Sequence, residues 1–320
     1  MAPKSRFMLA LLASALVPSV VVAFLPGGLV LGARPRADHR GRWAMQQSPS
    51  PGDNDLANSV LSKLCPLLKV VANSDPTAPR NQQLETALSG FSSISRLPWG
   101  AEVAPEVAAA AVRLEKPIVI YEFEACPFCR RVRELVTYLD LEVEVRPCPK
   151  GSIRHRNEVA SLGGKQLFPY MIDENTGTSL YESADIANYL LATYGQGASF
   201  PPLLLESTLL TGWVPTLLRA GRGMSRWEGA VKEAPAAPLQ LWNYENNQFC
   251  RLVREAMCEL ELPFVVKSAG KGSSRRAELL ELAGATKCPF LFDPNTGEKV
   301  GDSGAIMEYL FKTYSSPVAV

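Results

Sequence analysis

Apolar positions from Pro117 onward fall into short buried runs separated by amphipathic stretches, which predicts alternating strands and helices. In the first part of this region we expect strands near 117–123, 141–147, 168–172 and 178–181, and helices near 127–139, 152–162 and 183–194. A strand–helix–strand opening indicates a parallel pair with a crossover helix. Asp173-Glu-Asn-Thr-Gly177 supplies asparagine and glycine where a hairpin turn needs positive φ, so an antiparallel strand should follow. The pattern predicts an α/β fold.

The same pattern occurs twice. The segment from about Lys116 to Gly195 recurs from about Leu239 to Tyr314. Phe128-Cys129-Arg130 aligns with Phe249-Cys250-Arg251 at an offset of 121 residues, and the hairpin turn aligns with Asp293-Pro-Asn-Thr-Gly297 at an offset of 120. Chance does not produce so many matches in order. We therefore expect two tandem domains of one fold, the first and the second copy.

The chain begins with the composition of a targeting leader. Lys4 and Arg6 precede an apolar run from Phe7 to Leu25, and small residues before Phe24 offer a cleavage site, as in a signal peptide. Residues 27–52 hold four arginines and one acid, as in transit peptides. A signal peptide followed by such a segment resembles the bipartite plastid leaders of algae with secondary plastids. A membrane anchor or a secreted product is the competing interpretation.

Charge and cysteine usage narrow the function classes. The 320 residues carry a net charge of +1, which gives no global argument for nucleic-acid binding. Seven cysteines, mostly within apolar segments, make a poor disulfide framework for a secreted domain. Their number suits a reducing compartment and one active pair.

Cys126-Pro-Phe-Cys129 carries the candidate chemistry, because it stands where a strand is expected to lead into a helix. The free N–H groups and the dipole of a helix N-terminus favour a thiolate at Cys126. Cys129, one turn along, could resolve a mixed disulfide formed there. A zinc half-site or two inert core thiols are the alternatives. Zinc needs about four ligands, and His39 and His155 are the only histidines.

Further motifs give the pattern a family resemblance. Cys126-Pro-Phe-Cys129, Phe168-Pro169-Tyr170 and Glu182-Ser183-Ala-Asp185 follow in the order seen in glutaredoxins and in the N-terminal domains of glutathione transferases. Each repeat resembles this thioredoxin-fold family over almost its whole length. Arg131-Val-Arg-Glu-Leu and Pro147-Cys-Pro-Lys-Gly151 also resemble tandem-domain plastid proteins of plants and algae.

The resemblance implies roles for the site residues of the first copy. Cys126 would attack the glutathione sulfur, and Phe168 before a cis Pro169 would align the cysteinyl backbone of glutathione. Glu182 and Ser183 would hold the γ-glutamyl end, since a helix N-terminus binds carboxylates. Helix capping is the simpler alternative for Glu182 and Ser183, and an edge-strand proline for Pro169.

The second copy departs from this motif. Asn247-Gln-Phe-Cys250 replaces the dicysteine motif, so the nucleophile position holds Asn247, which cannot form a mixed disulfide. Pro289 and the pair Asp302-Ser303 are present. We expect a structural or interaction module, or a site that binds a glutathione-like ligand without turnover. Cys288, directly before Pro289, is interpreted as a packing residue.

The expected organisation has five segments, two of them thioredoxin-like domains: a leader (1–52), a helical extension (53–115), the first domain (116–195), a short helical connector (196–237) and the second domain (238–320). The connector is too short for the helical domain of a glutathione transferase, which argues against transferase activity.

The resulting hypothesis is a soluble plastid disulfide oxidoreductase of glutaredoxin type, acting through Cys126. It would use glutathione as co-substrate, a disulfide or glutathionylated protein as substrate, and no metal. A non-catalytic tandem binding or scaffold protein and a glutathione transferase are the alternatives.

Overall fold

A computed structural model of the chain describes residues 76–77, 81–111 and 113–316. The expected leader (1–52) and the first part of the expected helical extension, residues 53–75, lie outside these residues. In chain order the elements are α1 (Gln82–Ile94), α2 (Pro105–Ala110), β1 (Ile118–Glu122), α3 (Pro127–Tyr138), β2 (Glu142–Pro147), α4 (His155–Gly163), β3 (Tyr170–Asp173), β4 (Thr178–Leu180), α5 (Ser183–Tyr194), α6 (Leu204–Thr211), α7 (Trp213–Leu218), β5 (Leu239–Asn243), α8 (Gln248–Glu259), β6 (Phe264–Ser268), α9 (Arg275–Ala283), β7 (Phe290–Phe292), β8 (Lys299–Gly301) and α10 (Ser303–Thr313).

The two copies share one eight-stranded sheet in the order β4-β3-β1-β2-β6-β5-β7-β8. Within each copy a parallel pair, β1–β2 or β5–β6, is extended by an antiparallel hairpin. This confirms the predicted fold class of two tandem thioredoxin-like domains. Asp173 and Asp293 brace the two hairpin turns in the same way, each accepting hydrogen bonds from the asparagine two residues later.

Antiparallel pairing of β2 with β6 joins the copies. Glu144 pairs with Val265, which is the position that the repeat offset makes its own equivalent. The register therefore places a pseudo-two-fold axis through the centre of the sheet, as in an isologous dimer.

The structural repeat begins earlier than the sequence repeat. Arg96 binds Glu134 through two guanidinium nitrogens, and Arg219 binds Glu255 in the same way. The backbone N–H of Val103 donates to Lys271, and that of Arg226 donates to Lys150. In both cases the residue that precedes the domain recurs 123 residues later, because Arg96 corresponds to Arg219 and Val103 to Arg226. Helix α1 is therefore the structural equivalent of α6 and α7.

Each of these helical segments packs on the copy that does not directly follow it in the chain. Helix α1 precedes the first copy but contacts the second, and α7 precedes the second copy but contacts the first. The Ser89 hydroxyl of α1 donates to the Gln248 carbonyl of the second copy at 2.6 Å. The Thr216 hydroxyl of α7 donates to the Ala125 carbonyl of the first copy at 2.6 Å. Helices α6 and α7 lie within residues 196–237, the stretch expected to form a helical connector.

Crossed ion pairs fill the interface between the copies. Arg133 contacts Glu245 at 2.9 Å, and Arg254 contacts Glu124 at 3.0 Å. All four side chains are buried, and the repeat offset makes the two pairs equivalent. Buried charges persist only when paired in this way.

Over the part of the chain that the structure describes, no helix has both the length and the apolarity to cross a membrane.

Candidate functional site

Cys126 lies where the sequence predicts it, between β1 and α3. It is the N-cap residue of α3, and its sulfur accepts a hydrogen bond from the Cys129 backbone N–H at 3.3 Å. Pro127 follows at the first helical position, where its missing N–H leaves no bond unmade. The helix N-terminus thus points at the Cys126 sulfur.

Helices α6 and α7 close this site. Cys126 is only 4% exposed. The Phe128 ring meets the Trp213 ring edge-on at 6.4 Å, and a Cβ added to Gly212 would lie 3.1 Å from Pro127. The remaining cavity beside Cys126 is about 10 Å³, room for about one water molecule. In this arrangement no glutathione molecule reaches the sulfur.

Cys129 lies beneath Cys126 and is completely buried. Burial, together with the hydrogen bond to Cys126, raises the pKa of the Cys129 thiol well above its ordinary value. It is therefore a protonated thiol in the folded protein. The Phe168–Pro169 peptide bond is cis, as the resemblance implies, and the Arg156 guanidinium lies over the Phe168 ring at 4.9 Å.

Arg131 occupies the place where the γ-glutamyl group was expected. Its guanidinium donates to the Ser183 hydroxyl at 3.0 Å, to the Thr208 hydroxyl at 2.9 Å and to the Leu205 carbonyl at 2.7 Å. Ser183 is buried, while Glu182 is exposed and makes no capping hydrogen bond. The N-terminus of α5 is therefore tied to α6 by Arg131.

The second copy keeps the backbone arrangement without the nucleophile. Asn247 caps α8 by accepting hydrogen bonds from the N–H groups of Phe249 and Cys250. The Cys288–Pro289 bond is cis, and Asp302 caps α10 by accepting from the Gly304 N–H at 2.9 Å. Cys250 is completely buried, and Cys288 is partly exposed.

An open groove lies at this second site. Its volume is about 580 Å³, and its walls are the outer face of α1 with Phe91 and Ile94, the start of α8, and the pair Asp302-Ser303. Leu252 stands at the position that corresponds to Arg131, and a leucine has no guanidinium to donate to Ser303. The copy with the intact motif is thus closed, and the degenerate copy is open. Only the difference between Arg131 and Leu252 signals this in the sequence.

Comparison with known proteins agrees with this architecture. The family described as glutathione S-transferase, N-terminal domain, matches residues 120–198 and 241–317. Both copies match this one domain family. The paired matches confirm the coarser part of the predicted resemblance, a glutathione-related thioredoxin-like fold present twice. Curated proteins give no match to the chain.

A solved structure of a Bombyx mori glutathione transferase in complex with GTT is 26% identical to the aligned part of this chain. The alignment covers 28% of this chain and 42% of the silkworm protein, with a TM-score of 0.24. The chain thus spans less than half of that protein.

Among the described residues, no three His, Cys, Asp or Glu side chains gather as a metal site requires.

Proposed function

We propose that the protein binds glutathione, or a thiol carrying the same γ-glutamyl group, in the groove of the second copy. The contrast between the copies supports this proposal most directly: the Arg131 guanidinium donates to Ser183, whereas Ser303, which is as buried as Ser183, lines an open groove. A groove of about 580 Å³ is within the ~300–1,000 Å³ of small-molecule sites.

The chemistry at the end of α10 suits the γ-glutamyl group. The Ser303 hydroxyl at the helix N-terminus is a donor for a carboxylate, while the Gly304 N–H already donates to Asp302. The Asp302 carboxylate can pair with the ammonium of the same group. Phe91 and Ile94 offer apolar contact along the rest of the groove.

Titration calorimetry with reduced glutathione tests this proposal on the full chain. Ser303→Ala should weaken binding about tenfold, because one hydrogen bond to a charged group is lost. Ser183→Ala is the matched control at the equivalent position and should leave the affinity unchanged, because Ser183 already accepts from Arg131. No binding by the unmodified protein, or equal losses in both variants, would refute the proposal.

A second candidate is a disulfide oxidoreductase of glutaredoxin type acting through Cys126. The hydrogen bond from the Cys129 N–H to the Cys126 sulfur favours it, as does the helix N-terminus behind it. Turnover would require α6 and α7 to move from Cys126. Reduction of a small mixed disulfide by glutathione, compared between the protein and Cys126→Ser, tests this. Equal rates would eliminate Cys126 as the nucleophile.

We also propose delivery to a plastid by the leader in residues 1–52. Its signal-like run followed by an arginine-rich, acid-poor segment supports this. A fluorescent reporter carrying residues 1–52 should enter the plastid of an alga with a secondary plastid. Secretion of the reporter would overturn the proposal.

A further inference from the structure

A small cavity lies beside Cys126, where α3, α7 and α8 meet, and its volume is about 10 Å³. Arg130 of α3 and Arg251 of α8 both line it, and they are equivalent residues at the repeat offset of 121. The charged residues on the cavity wall are four arginines and two glutamates: Arg130, Arg219, Arg222, Arg251, Glu124 and Glu255. Cationic side chains thus outnumber anionic ones on this wall.

Two of these arginines have close carboxylate partners. The Nε and Nη2 atoms of Arg219 donate to Glu255 at 2.9 and 2.8 Å. The Nε and Nη2 atoms of Arg222 donate to Glu259 at 2.5 and 2.6 Å. The charges of these two guanidiniums are therefore neutralised by two-point contacts.

Among the described residues, Arg251 makes no contact of this kind. Its Nη1 atom lies 3.5 Å from a Glu124 oxygen, and its Nη2 atom lies 3.8 Å from a Glu245 oxygen. Glu124 has a shorter contact with Arg254, at 3.0 Å, and Glu245 has one at 2.9 Å with Arg133. The Nε and Nη2 atoms of Arg251 donate no hydrogen bond to any described residue. The charge of Arg251 is therefore only weakly compensated.

Arg130 also has an unused donor. Its Nε atom donates to Glu134 at 3.0 Å, but its Nη1 atom has no hydrogen-bond partner in the part of the chain that the structure describes. Arg130 and Arg251 are each only 2% exposed. Burial, and then the positive charge of Arg130, lower the pKa of the Arg251 guanidinium to about 9. Two buried cations with unused donors thus line one small cavity.

We propose that this cavity binds a monatomic anion of the size of chloride, held by Arg130 and Arg251. Buried donors are costly without an acceptor, and buried cations are costly without a counter-charge. A water molecule would supply only the acceptor, whereas an anion supplies both. Chloride is close to water in size, and a cavity of about 10 Å³ has no room for a phosphate or sulfate ion.

The anion site is independent of the functions proposed above, because it uses neither the groove of the second copy nor a reaction at Cys126. The bound anion contacts one helix from each copy, α3 and α8, and so stabilises the contact between the copies. The unfolded chain does not bring Arg130 and Arg251 together. The anion therefore binds only the folded state and shifts the unfolding equilibrium towards it.

Thermal unfolding of the full chain in chloride and in gluconate salts of equal ionic strength tests the site, since gluconate is too large for the cavity. At a chloride concentration of about 100 times its Kd, folding should be favoured about 100-fold. In Arg251→Met, which keeps a long side chain without the charge, this dependence on chloride should be lost. Arg275→Met is the matched control and should retain it, because Arg275 is 1% exposed and pairs with Asp140 at 3.4 Å but lies outside the cavity wall.

X-ray diffraction from crystals of the unmodified protein grown in sodium bromide locates the anion, and we expect an anomalous peak between Arg130 and Arg251. Density without an anomalous signal there would mean a water molecule and would overturn the proposal. Equal unfolding curves in chloride and gluconate, or an unchanged chloride dependence in Arg251→Met, would do the same. The diffraction and the comparison of salts need no variant, so they decide the question even if Arg251→Met fails to fold. Glutathione binding is measured separately, and its absence would leave the anion site unaffected.

Discussion

Arg131 and Leu252 show how one residue can decide the state of a site. Arg131 lies five positions after Cys126, and Leu252 lies five positions after Asn247, so the two residues occupy equivalent positions in α3 and α8. Arg131 reaches across to α5 and α6 through Ser183, Thr208 and Leu205, whereas a leucine side chain has no donors to do so. The helices that cover Cys126 are therefore held by a residue that the second copy lacks.

Arg131→Leu should partly open the first copy. Three acceptors lose their donor, so the free energy of unfolding should fall by about 2–4 kcal/mol, and Cys126 should react faster with an alkylating reagent. Cys126 alkylation is followed by mass spectrometry, and stability by urea unfolding. Leu252→Ala is the control, because it lowers stability through lost packing but leaves α6 in place. Equal acceleration in both variants would mean global loosening instead of local opening.

Glu122 should make stability depend on pH. Burial raises the pKa of its carboxyl to about 7, above the ordinary value of 4.5, although Arg133 at 2.9 Å opposes the shift. Because the folded state binds this proton more tightly than the unfolded state, Glu122 contributes its full stabilisation below about pH 4.5. This contribution is lost as the pH rises towards 7. Asn243, an amide, stands at the equivalent position of the second copy.

Glu122→Gln removes this titration and keeps a polar partner for Arg133. Relative to the unmodified protein, the variant should gain on the order of 1–3 kcal/mol in unfolding free energy between pH 5 and pH 8. Urea unfolding of both proteins across this range measures the change. A difference that stays constant with pH would show that Glu122 does not titrate there.

Among the elements, α1 and the α6–α7 segment perform equivalent tasks with different chemistry. Helix α1 turns a serine face inward, with Ser89, Ser92 and Ser93 buried, while Phe91 and Ile94 line the groove. Thr216 of α7 corresponds to Ser93 of α1 by the same offset of 123 residues as Arg219 and Arg96. Thr216 binds the Ala125 carbonyl, but the Ser93 hydroxyl has no hydrogen-bond partner among the described residues.

Thr216→Val should therefore weaken the cover over Cys126. It leaves the buried Ala125 carbonyl without this donor, which should cost about 1–3 kcal/mol and accelerate Cys126 alkylation. Ser93→Ala is the matched control and should leave both stability and alkylation almost unchanged, because it removes no hydrogen bond. The expectation fails if Ser93→Ala exposes Cys126 as much as Thr216→Val does.

The sequence predicts the positions of the helices and strands better than it predicts which of them pack against each other. Apolar periodicity placed α3 and α5 within one residue of their observed ends, and the hairpin glycines fixed the antiparallel strands. Periodicity could not show that α1 buries its serines, because that face is chosen by contacts with Gln248 and Arg219, far along the chain. For the same reason the sequence could not show that Cys126 is covered.

At the scale of the whole molecule, a cluster of buried ion pairs joins the two copies. Glu245 sits among the guanidiniums of Arg130, Arg133 and Arg254. Burial acts to raise the pKa of the Glu245 carboxyl, but these cations, Arg133 first, lower it to about 2. The contribution of the Glu245 carboxylate to stability is therefore present above about pH 4.5, its ordinary pKa, and is lost as the pH falls towards 2.

Glu245→Ala should destabilise the protein by about 3–5 kcal/mol at neutral pH, because it leaves buried guanidiniums without their partner. Glu102→Ala provides the comparison, since Glu102 also joins the two halves through Lys271 at 3.0 Å but is exposed to solvent. That exposed pair should contribute less than about 1 kcal/mol. Urea unfolding at pH 7 measures both. Similar losses in the two variants would show that the buried cluster is not what joins the copies.

The pairing of Glu144 with Val265 has a consequence for the history of the chain. A polypeptide with only one helix-plus-domain unit would leave the β2 edge with open hydrogen-bonding groups. Two such polypeptides could close those edges on each other in the register seen here, giving a symmetric homodimer. Fusion of the two genes would then free each half to change alone. One half could lose its nucleophile while the other became sealed, a division of labour that identical subunits cannot reach.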